Sequence, residues 1–332
     1  LEFRRVLFRS MKSRVSGYRS IEELKGDAST RKYYRLYRDG SPLILCLDDL
    51  LPRTPPGEYS FLIVQTLLKN NGVPVPGVLE IFPGEGILLL QDLGDLLLED
   101  IIPRITPEER TASYERLLEI MVSLQRIPPA DMPPFRLAFD EEKLLFEFDF
   151  FLQHALRIYF KIQEDNPALR EIRNGFAAIT GELVRPEHFV LNHRDFHSRN
   201  VMICGEQYYL IDFQDARMGL PQYDAVSLLR DSYVDDAYMD LEHLRKYYYD
   251  LAREAGILHM SPEEYEYLFE IMSFQRNIKA VGTFAYQKTS LGRDRYEPCI
   301  GKTLRSVFRY APAQKILRKT AALIQELTGV RP

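Results

Sequence analysis

Three polar side chains in the second half of the chain have the types and spacing that phosphoryl transfer requires. Asp195 and Asn200 lie five positions apart, and Asp212 follows twelve residues later at the end of an apolar run. Transfer of a phosphoryl group needs a carboxylate that meets the attacking hydroxyl and oxygen ligands for Mg²⁺. We therefore predict that Asp195 is the catalytic residue and that Asn200 and Asp212 bind the metal.

A predicted hairpin connects Asn200 to Asp212. Residues 201–204 and 208–211 are apolar or aromatic runs typical of short strands, and residues 205–207 between them form a turn that contains glycine. Such a hairpin returns the chain to its starting point. We therefore expect Asn200 and Asp212 to lie close together.

The same segment offers two alternative interpretations. His193 and His197 are four residues apart, as in a helical zinc motif, but position 194 is arginine where that motif has glutamate, and strand-like runs flank the segment. An ordinary turn between strands is the second alternative. The joint presence of Asp195, Asn200 and Asp212 favours phosphoryl transfer over both.

The composition is that of an ordinary soluble globular protein. The chain has 332 residues, 45% apolar and 27% charged, with a net charge of −5, which suits one large or two medium domains. No nucleic-acid partner is expected, because a strongly basic block is missing. No apolar run approaches the roughly 20 residues that cross a bilayer, so we expect no membrane insertion. Three dispersed cysteines, Cys46, Cys204 and Cys299, indicate a reducing cytoplasm.

Residues 1–10 differ from the rest of the chain. They lack an initiating methionine, carry three arginines and have no apolar stretch of the kind that a signal peptide needs. With Met11 as the candidate start, we predict that residues 1–10 are an extraneous or disordered leader.

A turn of small residues early in the chain is a candidate phosphate-binding loop. Residues 26–30 precede a tyrosine-rich, strand-like run over residues 31–37. Backbone N–H groups in such a turn can bind an anion, and the hydroxyls of Ser29 and Thr30 add donors. We predict that these two residues bind the nucleotide. A plain hairpin turn is the alternative, because no G-x-G-x-x-G loop is present.

The elements that follow predict a small, strand-rich region. Residues 43–48 form an apolar run typical of a buried strand, and residues 58–70 have the apolar spacing of a helix. Residues 78–82 and 86–91 predict a second hairpin. After it, Gln91 and Leu93 belong to a linker whose backbone we predict to pair with the nucleotide base, although a simple loop is equally compatible with the sequence.

From residue 106 onward the pattern is mainly helical. Thr106, followed by proline and two glutamates, predicts an N-cap and capping box for a helix to about residue 126. Ser261 begins the same pattern for a later helix. Two further helices are predicted between them, at residues 141–161 and 168–183, separated by Pro167.

Four stretches of the sequence resemble the aminoglycoside phosphotransferase superfamily of kinase-like folds. Within it, the resemblance is closer to bacterial anomeric kinases of N-acetylmuramate and N-acetylglucosamine. The stretches are residues 26–35, 193–217, 223–233 and 275–282. One departure from protein kinases and aminoglycoside kinases is that the strand at residues 43–48 carries no lysine for the nucleotide phosphates. Arg31, Lys32 and Arg35 are the candidate replacements.

The resemblance implies an α+β fold with two lobes like those of a protein kinase. A small β-rich lobe over residues 11–92 would bind the nucleotide, and a larger, mostly helical lobe over residues 93–332 would carry out catalysis and bind substrate. The implied reaction is in-line transfer from ATP, with Mg²⁺, to the anomeric hydroxyl of an amino sugar in cell-wall sugar recycling. Arg194 and Arg217 would organise the catalytic loop or contact the substrate, and Asp224 would be a structural acceptor.

Three alternatives are compatible with some of these residues. A kinase of aminoglycosides or other small alcohols would use the same centre. A catalytically weak nucleotide-binding regulator would explain the missing lysine but not the complete set of Asp195, Asn200 and Asp212. A protein kinase would require an A-P-E sequence after Asp212, which is absent.

Overall fold

An antiparallel sheet of five strands occupies the first part of the chain. The computed structural model describes residues 18–24, 31–235 and 238–332, so residues 1–10, Ser29 and Thr30 lie outside the described residues. The strands are β1 (Tyr18–Leu24), β2 (Lys32–Arg38), β3 (Leu43–Leu47), β4 (Val78–Phe82) and β5 (Ile87–Gln91), in the order β1-β2-β3-β5-β4. The predicted strand over residues 43–48 and the predicted second hairpin are confirmed.

Both faces of the sheet are buried at its centre, which explains the unbroken apolar sequence of β5. Successive side chains of a strand point to opposite faces. Ile87 and Leu89 therefore pack with Leu45 in a small cluster on one face, whereas Leu88 and Leu90 join the main core of the protein on the other.

Helix α1 (Ser60–Asn70) connects β3 to β4 and matches the predicted helix to within two residues. Phe61, Val64 and Leu68 recur at helical spacing and are buried. The helix ends before Gly72, whose φ of 75° is a left-handed conformation that glycine adopts without steric cost.

The rest of the chain is mainly helical, which confirms the predicted α+β class. The α-helices of eight or more residues are α2 (Pro107–Gln125), α3 (Glu141–Phe151), α4 (Pro167–Leu183), α5 (Gln222–Leu229), α6 (Leu241–Glu254), α7 (Pro262–Thr289), α8 (Glu297–Tyr310) and α9 (Lys315–Thr328). Helix α3 continues directly into a π-helix over Leu152–Tyr159. Single helical turns at Leu98–Ile101 and Pro133–Arg136 precede α2 and α3. Among the described residues, no helix is long and apolar enough to cross a membrane.

The predicted helix starts are confirmed at two positions and corrected at a third. The Thr106 hydroxyl accepts a hydrogen bond from the N–H of Glu109 and completes a capping box. The Ser261 hydroxyl accepts one from the N–H of Glu264 at the start of α7. Pro167 does not separate two helices but is the first residue of α4. Its missing N–H costs nothing at that position, and the Asn166 side chain caps the helix.

A short ladder and a hairpin follow α4 and carry the predicted catalytic segment. Strand β6 (Val190–Asn192) pairs with β9 (Arg217–Gly219), and the hairpin of β7 (Val201–Cys204) and β8 (Gln207–Leu210) lies between them in sequence. The predicted three-residue turn is wrong by one residue, because Gln207 already pairs with Cys204. Gly205, with φ of 61°, supplies the left-handed conformation that a two-residue turn requires.

Candidate active site

The hairpin places Asp212 beside Asn200. The Ile211 N–H donates to the Asn200 carbonyl at 3.0 Å, so the residue that follows β8 lies next to the residue that precedes β7. Asp212 itself has a φ of 64°, which is uncommon for a residue other than glycine and recurs at functional sites. Its Oδ1 accepts a hydrogen bond from Gln214 Nε2 at 2.9 Å. The two predicted metal ligands are thus brought together by backbone geometry.

Asp195 is held in a loop whose backbone is hydrogen-bonded on both sides. The buried Asp224 carboxylate accepts from the N–H groups of His193 at 2.5 Å and of Arg194 at 3.0 Å. The Asn200 side-chain amide donates to the Asp195 carbonyl at 2.9 Å. Arg194 has a φ of 84°, a strained conformation for a long side chain. Asp224 is therefore the structural acceptor that the sequence predicted.

Three cations surround the Asp195 carboxylate. Lys279 Nζ lies 2.9 Å from Oδ1, Arg276 Nη1 lies 3.5 Å from the same oxygen, and Arg194 Nε lies 3.8 Å from Oδ2. Burial alone would raise the pKa of Asp195, but these cations outweigh it and hold the pKa well below its usual value. Burial also lowers the pKa of Lys279. Asp195 is consequently ionised throughout the neutral range.

Lys279 and Arg276 are contacts of Asp195 that sequence analysis did not assign. Both lie on α7, three residues apart and therefore on one face of the helix. Arg276 is buried, and the Lys279 side chain is 15% exposed. The sequence does contain a signal for this contact, which is a pair of cations within an otherwise apolar helical pattern. Cations at such positions are buried, and a buried charge requires a partner.

The two histidines of the segment lie in a loop rather than on a helix. His193 follows β6 directly and is completely buried. Burial lowers the pKa of His193 to about 4, against the attraction of Asp195 and Asp212, so its ring is neutral at physiological pH. In the described parts of the chain, no cluster of three or more His, Cys, Asp or Glu side chains is arranged to hold a metal.

The donor set suits Mg²⁺, which in nucleotide sites takes one or two protein ligands and completes its shell with phosphate oxygens and water. Asp212 contributes a carboxylate. Asn200 uses its amide nitrogen to bind the Asp195 carbonyl, which leaves its side-chain oxygen as a ligand. These two residues therefore fit a metal that arrives with a nucleotide.

The loop of Asp212 also contacts the helix that lies against the sheet. The ring of Phe213, fully buried, lies 5.0 Å from the ring of Phe61 on α1. This contact connects the predicted metal ligand to the strand-rich part of the molecule.

The linker after β5 is anchored to the sheet by ion pairs. Arg35 on β2 contacts Asp92 at 2.6 Å and Asp95 at 2.8 Å. Gln91 uses its backbone N–H to bind the Gly77 carbonyl at 2.8 Å. Leu93, in contrast, makes no backbone hydrogen bond within the described residues, so its N–H and carbonyl can pair with a ligand.

Two of the three candidate replacements for the missing lysine are paired with carboxylates. Arg35 contacts the linker, and Arg31 Nε lies 2.7 Å from Asp48, which also accepts a hydrogen bond from the Tyr59 hydroxyl. Burial opposes the charge of Arg31, yet its contacts raise the pKa of the guanidinium. Neither arginine is therefore a free cation in this structure.

A cavity of about 90 Å³ opens beside Asp195. It is lined on one side by His197 and on the other by Arg276, Asn277 and Lys279 of α7. Because Asp195 forms part of its wall, a hydroxyl group bound there would meet the carboxylate. Arg194 lies at the edge of this site and pairs with Asp215 at 2.7 Å.

Arg217, predicted to organise the loop or contact substrate, lies across the ring of Phe139 with its guanidinium carbon 5.4 Å from the ring centroid. Burial and the neighbouring Arg194 lower the pKa of Arg217. Its Nε donates to the Asp215 carbonyl at 3.3 Å. In this structure Arg217 therefore supports the segment that follows Asp212.

Comparison with known proteins identifies the family. Two relatives named N-acetylmuramate/N-acetylglucosamine kinase are similar along most of their length. The protein of Neisseria meningitidis serogroup B is 31% identical over 91% of this chain and 89% of its own, and that of Pseudomonas aeruginosa is 30% identical over 92% and 87%.

Solved structures of lower identity share the fold. A choline kinase, LicA from Streptococcus pneumoniae, superposes with a TM-score of 0.60 at 13% identity and covers 91% of this chain and 99% of its own. The ADP-bound aminoglycoside phosphotransferase APH(2'')-Ib gives 0.60 at 14% identity, with 95% and 98% covered. The predicted kinase-like fold is thereby confirmed. Residues 20–260 match the model of the phosphotransferase enzyme family, and the chain belongs to that family.

Proposed function

We propose that this phosphotransferase is an ATP-dependent kinase that phosphorylates the anomeric hydroxyl of an amino sugar, either N-acetylmuramate or N-acetylglucosamine. The observation that carries the proposal is that one loop and one hairpin bring Asp195, Asn200 and Asp212 to a common site beside a cavity. The choice of acceptor is supported by the relatives of that name, which align with nearly the whole chain.

The nucleotide would lie between the sheet and the larger helical part. We assign Leu93 and Gln91 to the base, with Leu93 offering free backbone groups, and Ser29 and Thr30 to the phosphates. The ADP-bound aminoglycoside phosphotransferase of the same fold supports nucleotide binding. Asn200 and Asp212 would hold Mg²⁺, and the bound metal would neutralise charge on the phosphates. In this assignment residues 11–92 form the nucleotide-binding lobe and residues 93–332 the catalytic lobe.

Asp195 would act mainly by orienting the acceptor hydroxyl. Its carboxylate is ionised, and the adjacent Lys279 and Arg276 make it a weak base. A weak base is sufficient for an anomeric hydroxyl, which is more acidic than an ordinary alcohol. Catalysis then depends on positioning and on charge neutralisation, as is general for phosphoryl transfer.

An enzyme of this kind uses ATP and therefore belongs in the cytoplasm. There it would return amino sugars released from the cell wall to metabolism. The two alternatives make different demands on the site. A kinase of cationic aminoglycosides would need unpaired acidic side chains around the acceptor. In this cavity Asp195 is paired with Arg276 and Lys279, and Asp231 is bound by backbone N–H groups. A nucleotide-binding regulator would have no use for Asp195.

A substrate panel tests the proposal. Purified protein with ATP and Mg²⁺ should phosphorylate N-acetylglucosamine and N-acetylmuramate, as followed by mass and by phosphorus resonance. Methyl glycosides, which block the anomeric oxygen, should not react, and kanamycin should be a poor substrate. Equal turnover of a methyl glycoside would contradict anomeric transfer. Preference for kanamycin would favour the aminoglycoside alternative, and turnover of none of these acceptors would favour the regulator.

A further inference from the structure

A second cavity, of about 410 Å³, adjoins the cavity beside Asp195. It lies between the end of α5, the middle of α7 and one face of α8. The two cavities share four wall residues, Arg230, Asp231, Ser232 and Asn277. A molecule with one end at Asp195 can therefore extend into the second cavity without leaving the protein surface.

The walls of the second cavity carry more positive than negative side chains. The cations are Arg230, Lys302, Arg305 and Arg309, and the carboxylates are Asp231 and Asp235. One of these carboxylates is already committed to the backbone, because Asp231 accepts hydrogen bonds from the N–H groups of Ser198 at 2.8 Å and Tyr233 at 2.9 Å. The cavity thus favours an anionic ligand.

Two buried donors in the wall have no partner within the described parts of the chain. Thr303 is only 2% exposed, and its hydroxyl makes no hydrogen bond. Arg230 uses Nη2 to bind Glu270 at 2.9 Å, but its buried Nε is unpaired. Both atoms are enclosed by the protein, so neither is exposed to a ligand in the cavity.

Arg305 is the cation best placed to receive a ligand from solvent. Its side chain is exposed and makes no ion pair among the described residues. The Arg305 guanidinium lies along α8 beside Gly301. A Cβ atom added to Gly301 would lie 3.3 Å from Nη1 of Arg305. Lys302, in contrast, donates to the Val234 carbonyl at 2.7 Å and holds the wall of the cavity.

We propose that the second cavity binds a carboxylate carried by the acceptor sugar, with Arg305 as the donor. The inference rests on the proposed function, because N-acetylmuramate carries a carboxylate on its lactyl ether and N-acetylglucosamine does not. With the anomeric oxygen at Asp195, the ring occupies the first cavity and the lactyl group enters the second. Arg305 then determines which of the two sugars is preferred.

The test measures preference, defined as the ratio of kcat/KM for N-acetylmuramate to that for N-acetylglucosamine. Arg305→Gln should lower this ratio about 10- to 100-fold, the range expected for a hydrogen bond to a charged group. Lys315→Gln, an equal loss of charge on the exposed start of α9 and outside both cavities, is the matched control.

The ligand can also be changed instead of the protein, which avoids any effect on folding. The methyl ester of N-acetylmuramate has nearly the same shape without the charge, so by titration calorimetry it should bind wild type more weakly than the free acid. It should bind Arg305→Gln about as well as the free acid does. If wild type turns over both sugars and no variant changes the preference by more than about twofold, the carboxylate site is contradicted while the proposed function stands. Turnover of neither sugar by wild type would overturn both.

Discussion

Asp195 has the position of a general base but a pKa that is low for that role. It lies in the wall of a cavity where an acceptor hydroxyl can bind, yet Lys279, Arg194 and Arg276 keep its pKa far below neutrality. Such a carboxylate holds the acceptor hydroxyl by a charge-assisted hydrogen bond. It need not take up the hydroxyl proton before the phosphoryl group is transferred. At the scale of single residues, the cations therefore define what Asp195 does.

Replacing the carboxylate tests this role. Asp195→Asn should lower the rate of phosphoryl transfer about 10²- to 10⁴-fold, because positioned acid–base groups contribute on that order. Rapid quench in single turnover measures the chemical step, and calorimetry should show that ATP still binds. Asp131→Asn, a change at an exposed carboxylate paired with Arg136, serves as control. Loss of ATP binding together with the rate would instead indicate a structural role for Asp195.

The contribution of Lys279 is tested by pH. Removing a cation 2.9 Å from Asp195 raises the pKa of that carboxyl, because its ionised form loses its nearest partner. Activity is lost as pH falls through this pKa. The acid limb of the kcat profile should therefore move to higher pH in Lys279→Met and stay near the wild-type position in Lys279→Arg. An unchanged acid limb in Lys279→Met would show that another group controls it.

Among the secondary-structure elements, the β7–β8 hairpin has the clearest effect on the site, since it returns the chain from Asn200 to Asp212. Its turn depends on Gly205, which has a φ of 61° and open space where a Cβ would lie. Gly205→Ala should lower the free energy of unfolding by about 1 kcal/mol through backbone strain alone. Gly181→Ala, also unobstructed but on α4, should instead raise it by about 0.5–1 kcal/mol. Urea unfolding measures both, and a stabilised Gly205→Ala would contradict the account of the turn.

Elements that depend on local signals were predictable from the sequence. The catalytic loop, the hairpin and the capped starts of α2 and α7 all have their determinants within a few residues. Helix α5 was missed because all its residues are buried, which removes the amphipathic period that marks a helix. The strand-like run predicted before His193 forms β6, but β9 was missed because three residues are too few to show alternation.

Contacts between distant parts of the chain were not predictable in the same way. Lys279 contacts Asp195 across 84 positions of sequence, and no local pattern specifies which buried cation will meet which carboxylate. The same is true of the pairing of Arg35 with Asp92, 57 positions away. Arg35 was a candidate partner for the nucleotide phosphates, whereas in the structure it anchors the linker.

The whole molecule combines a strand-rich part and a helical part around one set of polar residues. The ring contact between Phe61 and Phe213 connects the two parts next to Asp212, and α7 supplies cations to Asp195 from the other side. This arrangement explains how a small sheet and a distant helix can act on the same phosphoryl group. In the proposed reaction, the anomeric oxygen of a sugar bound beside Asp195 attacks that group.

The most direct test of this claim follows the oxygen atom itself. N-acetylglucosamine labelled with ¹⁸O at the anomeric position is incubated with the enzyme, ATP and Mg²⁺, and the product is examined by phosphorus resonance and mass. We expect a sugar phosphate that retains ¹⁸O in the bond to phosphorus, seen as an isotope shift of the phosphorus signal. A phosphorylated sugar whose phosphorus shows no such shift would mean that a different hydroxyl attacks, and anomeric transfer would be wrong.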